Sequence, residues 1–438
     1  MGLKFYSILL YSCVAQLICV DRVVLGFFPT STSMLSTMDS PPIKKRHRQL
    51  SNAFLPDELI AEILSFFEVK TIVQLKCVSK SWNNLISEPT FVEKHHQKSS
   101  QNPHLTLCWH EGRKGFNVTP FPVHCLLQNP SITVNNNKFH RFKVQCKVVG
   151  SCNGLLCLLF HSIRRTRTVV HWFRFWNPAT RKKTKKLGLC YSTPRRIRKD
   201  ISTPLSLFKF TFCYDASTRT YKVVAFRVKN KQGEVKVFSL GTNYWRNIQS
   251  FPVSPLNLLD CHYRRRRCRL NDGVHLSGTV NWLATYKPVI HVIQYEFVIV
   301  SLDLSTESYK QLLPPLGFDE VPFFQPVLSV LMDGICFSYD SKRTEFVLWH
   351  MKEYGVQNSW TQLFKISYQN LPIRNIDNWF EPMCFYVTGD SVILATNEYG
   401  IHTFIYNLKN KSSERIKIRN CILWLEAKEY VESLVSVR

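Results

Sequence analysis

The sequence predicts an α+β multidomain chain, a small three-helix module followed by an all-β, propeller-like domain of five to six four-stranded blades. Three observations lead there. Helical periodicity is confined to residues 53–98. From residue 104 onward, short runs of Val, Ile, Phe, Tyr and Trp alternate with turn dipeptides. The same turn recurs at near-constant spacing to the end of the chain.

The helical module opens at Leu55-Pro56-Asp57-Glu58. Pro56 suits a helix start, and Asp57 and Glu58 complement the positive end of the helix dipole. Leu59, Ile60, Ile63, Leu64 and Phe67 then form one wide apolar stripe. Glu68-Val69-Lys70 interrupts it, and Thr71 to Gln74 reads as a capping box that starts a second helix with Leu75 and Val78. Ser79 is expected to cap a third helix carrying Trp82, Leu85 and Ile86, which Pro89 stops. Three short helices cannot enclose side chains of this size, so the surplus apolar surface calls for a partner.

In the β-rich remainder, one hairpin turn falls at Asn153-Gly154, Ser217-Thr218, Ser277-Gly278, Asp333-Gly334 and Gly389-Asp390, at intervals of 64, 60, 56 and 56 residues. A second falls near Ala179-Thr180, Gly241-Thr242, Ser305-Thr306, Gly355 and Asn410. Two hairpins per repeat make four antiparallel strands, and such sheets repeated radially form a propeller that hides its edges. Residues 104–144 and 421–438 are expected to complete a sixth blade between them. A Greek-key sandwich would not repeat at this period.

The helical segment LPDELIAEILSFFEVKTIVQLKCVSKSWNNLISEPTF resembles an F-box. The stretch Val148 to Cys157, the run Trp176-Asn177-Pro178-Ala179-Thr180-Arg181, Tyr214-Asp215 with Tyr221 to Val224, and Gly278 to Leu283 resemble the F-box-associated domain of plant F-box proteins, a kelch-like propeller type. This resemblance implies a non-catalytic substrate-recognition subunit of an SCF-type (Skp–cullin–F-box) ubiquitin ligase. Such a subunit docks on a Skp-type adaptor and the cullin core, holds a target protein on its propeller, promotes target ubiquitination and degradation, and needs no cofactor. It places Leu55, Pro56, Ile63, Leu64, Leu75, Val78 and Trp82 at or beneath the adaptor interface. The domains expected are an apolar leader or upstream extension at 1–37, a basic linker at 38–52, the F-box at 53–98 and the propeller at 104–438.

The chain carries 57 Lys and Arg against 31 Asp and Glu, a formal net charge of +26. The excess is local. Residues 112–199 contain 19 basic side chains and no carboxylate. Candidate target-contact residues are therefore Arg164, Arg165, Arg167, Arg181, Lys182, Lys183, Arg195 and Arg196, joined by Arg264, Arg265, Arg266 and Arg267. They suit an acidic target protein. No zinc finger, homeodomain or RNP motif supports direct nucleic-acid binding. A basic nucleic-acid- or chromatin-associated propeller is nevertheless the alternative reading, and a secreted or membrane-anchored lectin-like propeller is a third.

The 15 cysteines include no CxxC pair, and most sit beside apolar residues, as reduced thiols of a reducing compartment do. Lys44-Lys45-Arg46-His47-Arg48 resembles a nuclear-localisation patch, whereas Phe5 to Val20 could be a signal-peptide core or part of an upstream extension ending near Met38. The expected location is nucleus and/or cytoplasm, with a secretory or membrane route only if residues 1–37 are a targeting segment. No GxSxG, HExxH, GxxxxGK[ST] or GxGxxG occurs. His95-His96 reads as a solvent-exposed pair, and Cys152 has no histidine near it in sequence.

Overall fold

The computed structural model describes residues 56–436 except 111–114, 130, 133–139, 145, 165–167, 193–207, 230–231, 251–253, 256–272, 286–296, 317, 319–325, 372–381, 398–400 and 419–423. The chain divides into two compact units, Met1–Gln101 and Asn102–Arg438.

The first unit holds helices α1 (Asp57–Leu64), α2 (Val69–Leu75), α3 (Lys80–Ser87) and α4 (Pro89–Ser99). Pro56 precedes α1 in an extended conformation, with Asp57 and Glu58 in the first turn. Ser79 caps α3, its Oγ accepting the Trp82 backbone N–H at 3.1 Å. Pro89 ends α3 and, at the first position of α4, opens a further helix where its missing N–H is harmless.

Two local expectations are corrected. Thr71 is not a cap: α2 starts at Val69 with Glu68 before it, and Thr71 lies inside the helix. Val69 is fully buried, and packing it draws the helix start back past the weak capping signal. His95 is not on the surface: only 1% of it is exposed. Its Nε2 donates to the Phe67 carbonyl at 2.8 Å, tying α4 to the turn between α1 and α2. Burial lowers the His95 pKa, which favours the neutral ring. His96 beside it is half-buried.

The second unit is a propeller of six blades, each built on a four-strand sheet. Blade one is shared by the two ends of the domain, in the order Trp424–Tyr430, His104–His110, Phe116–Pro122, His140–Phe142. The pair His104↔Tyr430 starts the register that closes the ring. Blade two runs Cys146–Cys152, Leu155–Ile163, Val169–Asn177, with Lys182–Lys183 and Leu187–Ser192 side by side on its outer edge. Blade three is Lys209–Asp215, Thr220–Lys229, Gln232–Ser239 and Trp245–Ile248. Blade four is Val274–Leu276 and Ser254–Pro255 beside Thr279–Thr285, then Phe297–Asp303 and Tyr309–Leu312. Blade five is Val327–Leu331, Gly334–Ser341, Glu345–Met351 and Trp360–Ser367. Blade six is Pro382–Thr388, Ser391–Asn397, Ile401–Asn407 and Ser413–Arg415.

Apolar side chains alternate along each strand, so both faces of every sheet bury a row against a neighbouring blade. Phe160 and Trp176 of blade two pack with Phe116 of blade one, whereas Phe173 and Phe175 pack with Phe212 of blade three. The last interface, Leu105 and Leu107 of blade one against Ile393 of blade six, completes the ring.

Four of the described turns share a local device. Asn177, Asp215, Asp303 and Asn407 each accept a backbone N–H two or three residues on, from Thr180, Ser217, Ser305 and Lys409. Four residues after each, the backbone is left-handed, at Arg181, Arg219, Glu307 and Lys411. In blade three the Asp215 carboxylate also takes the Lys222 ammonium at 2.6 Å. Lys222 donates onward to the Leu304 carbonyl of blade four at 3.1 Å, so this buried pair fastens two blades.

Ring closure has a clasp. Asn177 Nδ2 donates to the carbonyls of Ser433 and Val435 at 2.8 and 2.9 Å, and Ser433 Oγ donates to the Asn153 carbonyl at 2.9 Å. Gly154, at φ +77°, leaves room for that tail: a Cβ there would stand 2.3 Å from the Ser433 Cβ.

Candidate adaptor-binding and target-binding surfaces

On the helical unit, Leu64, Leu75 and Trp82 are buried. They hold the helices together and lie beneath any docking surface. Pro56 is exposed, Ile63 and Val78 are half-buried, and Leu55 lies outside the described residues. The large apolar side chains that reach solvent are Leu59, Phe66 and Val73, at 51, 57 and 39% exposure. Leu59, Ile63 and Phe66 follow an i, i+4, i+7 spacing along α1 and its end, so they share one stripe. The signal for Leu59 and Phe66 was present in the sequence. The apolar residues of α1 cover more of the helix than one buried face needs, and the excess has to point outward. Next to this stripe, Glu62 forms ion pairs with Lys94 and Lys98 of α4, and the Lys98 ammonium sits 4.4 Å from the Phe66 ring centre. The patch is therefore apolar with a rim of both acidic and basic side chains.

On the propeller, strand direction sorts the basic candidates. Arg164 follows Leu155–Ile163, so it lies at one end of blade two together with Ser192. Arg181 follows Val169–Asn177, so it lies at the opposite end, beside the clasp. Arg164, Arg181, Lys182 and Lys183 are all exposed. Arg165, Arg167, Arg195, Arg196 and Arg264 to Arg267 lie outside the described residues. Lys183 Nζ approaches His140 Nε2 of blade one at 3.4 Å. Burial, then Lys183, then Arg181 depress the His140 pKa, which leaves that ring neutral next to the cations.

The fold supplies the histidine that the sequence near Cys152 lacks. His275 of blade four comes to 3.9 Å from the Cys152 sulfur, and its Nε2 donates to the Tyr214 carbonyl at 3.1 Å. The pair is poorly suited to nucleophilic chemistry. Burial pushes the Cys152 thiol up to about 12 and lowers the His275 pKa, so the thiolate is scarce at neutral pH. Among the described residues, no group of three His, Cys, Asp or Glu side chains is arranged to hold a metal. No helix among them is long and apolar enough to cross a membrane.

The chain thus joins a short helical unit that exposes an apolar stripe to a closed six-bladed propeller. The family model of the F-box domain matches residues 54–94, and that of the F-box associated beta propeller domain matches residues 114–437. The chain belongs to the family of plant F-box proteins with an F-box-associated propeller. Similar proteins include an F-box/kelch-repeat protein of Arabidopsis thaliana, 26% identical over 87% of this chain and 95% of its own length. F-box protein CPR1 of the same plant is 25% identical over 87% of this chain and 89% of its own length. Among solved structures, TolB from Acinetobacter baumannii aligns over 78% of this chain and 72% of its own with a TM-score of 0.40 at 8% identity.

Proposed function

We propose that this chain is the substrate-recognition subunit of an SCF-type ubiquitin ligase, with no catalytic step of its own. The observation that carries this reading is the combination, in one chain, of an F-box whose Leu59, Phe66 and Val73 are uncovered with a propeller whose strands are spent on inter-blade packing. Exposed apolar side chains on so small a unit favour a partner that buries them, and the F-box match supports a Skp-type adaptor as that partner. The propeller leaves its loops and outer edges for a target protein.

The chain then acts by proximity. Binding both partners turns the meeting of target lysine and ubiquitin-loaded enzyme into an intramolecular event, raising its effective concentration without any new chemistry at this chain. The basic stretch without carboxylates suits an acidic target. A location in the nucleus and/or cytoplasm, where the cullin core would be met, belongs to this proposal.

Affinity purification of the full chain under proteasome inhibition, with mass spectrometry, tests it. The expected result is co-recovery of a Skp-type adaptor and a cullin, plus a protein that accumulates only when the proteasome is blocked. Recovery of neither adaptor nor cullin counts against the proposal.

A further inference from the structure

Cations stand over aromatic rings on two neighbouring blades, but only one of the two sets is neutralised. On blade three, Arg227 and Lys236 lie 4.1 and 5.5 Å from the Phe208 ring centre. Glu234 sits with them, 2.7 Å from Arg227 and 3.0 Å from Lys236. On blade two, Lys186 lies 4.0 Å over Trp172, Arg164 5.3 Å over Tyr191, Arg174 5.7 Å over Phe160, and Lys183 5.9 Å from Phe142. None of these four cations forms an ion pair with a described residue, and Arg174 Nε is buried without a hydrogen bond among them. The stretch from 112 to 199 has no carboxylate to give them.

Register puts the rings, Arg174 and Lys183 on one face, and Lys186 and Arg164 stand over rings of that face. Trp172, Arg174 and Trp176 alternate along a single strand, with Phe160 opposite Trp172, Lys183 opposite Trp176 and Tyr191 opposite Val170. From Trp176 to Val170 is six residues of strand, roughly 20 Å. Among the described residues, the outermost strand of blade one is His140–Phe142, and its His140 ring reaches Trp176 at 4.9 Å. Phe160 and Trp176 are buried against blade one, whereas Trp172 and Arg174 are half-buried and Lys183, Lys186, Arg164 and Tyr191 are exposed along the outer margin of this face.

We propose that this strip of blade two binds an extended acidic segment of polypeptide, whose Asp or Glu carboxylates take the place that Glu234 fills on blade three. Its role as the docking strip for the ligase target rests on the function proposed above. Two features select this occupant. The cations are spread along about 20 Å, which suits successive carboxylates of an extended chain and not one compact anion. The rings are already occupied: Phe160 stacks on Trp172 at 10°, and Lys186 covers the indole, so they offer little open face for the base stacking of single-stranded nucleic acid.

The test uses the full chain and a fluorescein-labelled hexaglutamate peptide, followed by anisotropy. Hexaglutamine and a six-nucleotide thymidylate serve as comparison probes. One variant removes the exposed cations of the strip, Arg164→Gln with Lys183→Gln and Lys186→Gln. A second removes the same charge elsewhere on the propeller, Lys310→Gln with Lys352→Gln and Lys409→Gln. Hexaglutamate is expected to bind, hexaglutamine not. The strip variant should lose at least tenfold in affinity, and the second variant should stay within twofold of the parent. The proposal is overturned if the parent does not bind hexaglutamate, if both variants weaken equally, or if thymidylate binds more tightly. Adaptor capture is read in the same samples. Its loss with hexaglutamate binding intact retires the ligase reading and leaves the strip as an acidic-peptide surface.

Discussion

Asn177 and Ser433 are 256 residues apart in sequence, yet the Asn177 side-chain amide donates to the Ser433 carbonyl at 2.8 Å. That bond closes the propeller where its ends meet, and the second bond, to Val435, makes Asn177 a two-point clasp. Replacing Asn177 by Ala leaves both carbonyls without this donor, so Asn177→Ala should destabilise the propeller by about 1–3 kcal/mol. Urea denaturation of the full chain measures it. Deleting residues 431–438 should weaken the fold through the same contact, so combining the two changes should add little to the deletion alone. Full additivity would mean that the clasp does not act through the tail.

The Asp215–Lys222 pair should matter more. Lys222→Met strands a buried carboxylate and should destabilise by about 3–5 kcal/mol. Adding Asp215→Asn should recover part of that loss, because it removes the uncompensated charge. Burial pushes the Asp215 carboxyl up, but the hydrogen bonds from Lys222, Ser217 and Thr218 outweigh it and hold the pKa below the usual range. A carboxyl depressed in the folded state contributes stability above the unfolded pKa, near 4, and that stability is lost as pH falls below it. Acid titration of the double variant should therefore show a shallower loss of stability below pH 4 than the parent.

A histidine acts at milder pH. His171 is buried beside Phe210, its Nε2 3.2 Å from Ser192 Oγ, and burial, followed by His161, lowers its pKa to about 4. Its folded pKa is below the unfolded value near 6.5, so the unfolded chain takes up the proton first and stability falls as pH drops from 6.5 towards 4. The full effect of one such residue is about 3 kcal/mol. Thermal unfolding across that window should show Tm falling, and His171→Asn should flatten the slope.

Two neighbouring positions in the helical unit should separate folding from docking. Leu64 is buried, and an aspartate there would bury an unpaired charge, so Leu64→Asp should unfold α1 to α4. Phe66 is exposed, so Phe66→Asp should keep the helical circular dichroism of the parent and lose adaptor capture. Equal loss of helicity in both variants would contradict the burial pattern.

Much of this architecture was legible because repetition is local. Turns such as Asn153-Gly154 and Ser277-Gly278 recur at a fixed period and carry their own backbone chemistry, and the sixth blade followed from the leftover strands at the ends. The F-box was legible as a pattern of apolar residues, but that pattern marks buried Leu64 and Trp82 as strongly as exposed Phe66. A stripe reports that a face is apolar, not which part of it other helices cover. His95 is not legible as core because a polar side chain at i+4 from Phe91 hides a buried position whose hydrogen bond goes to Phe67, 28 residues away. The Asn177 clasp and the approach of His275 to Cys152 join segments with no local link. The absence of carboxylates from 112 to 199 was visible, but only the fold shows that Arg174 alternates with Trp172 on the strand face that Lys186 covers.

We propose that Leu59 and Phe66 of the helical unit contact the adaptor and that the propeller folds without that contact. Isothermal titration of the purified full chain with a recombinant plant Skp adaptor measures this contact. Saturable one-to-one binding is predicted for the parent, with no detectable binding for Leu59→Glu combined with Phe66→Glu at unchanged thermal stability of the propeller. Unchanged affinity in that variant, or no heat with the parent, would rule out Leu59 and Phe66 as the adaptor-binding surface.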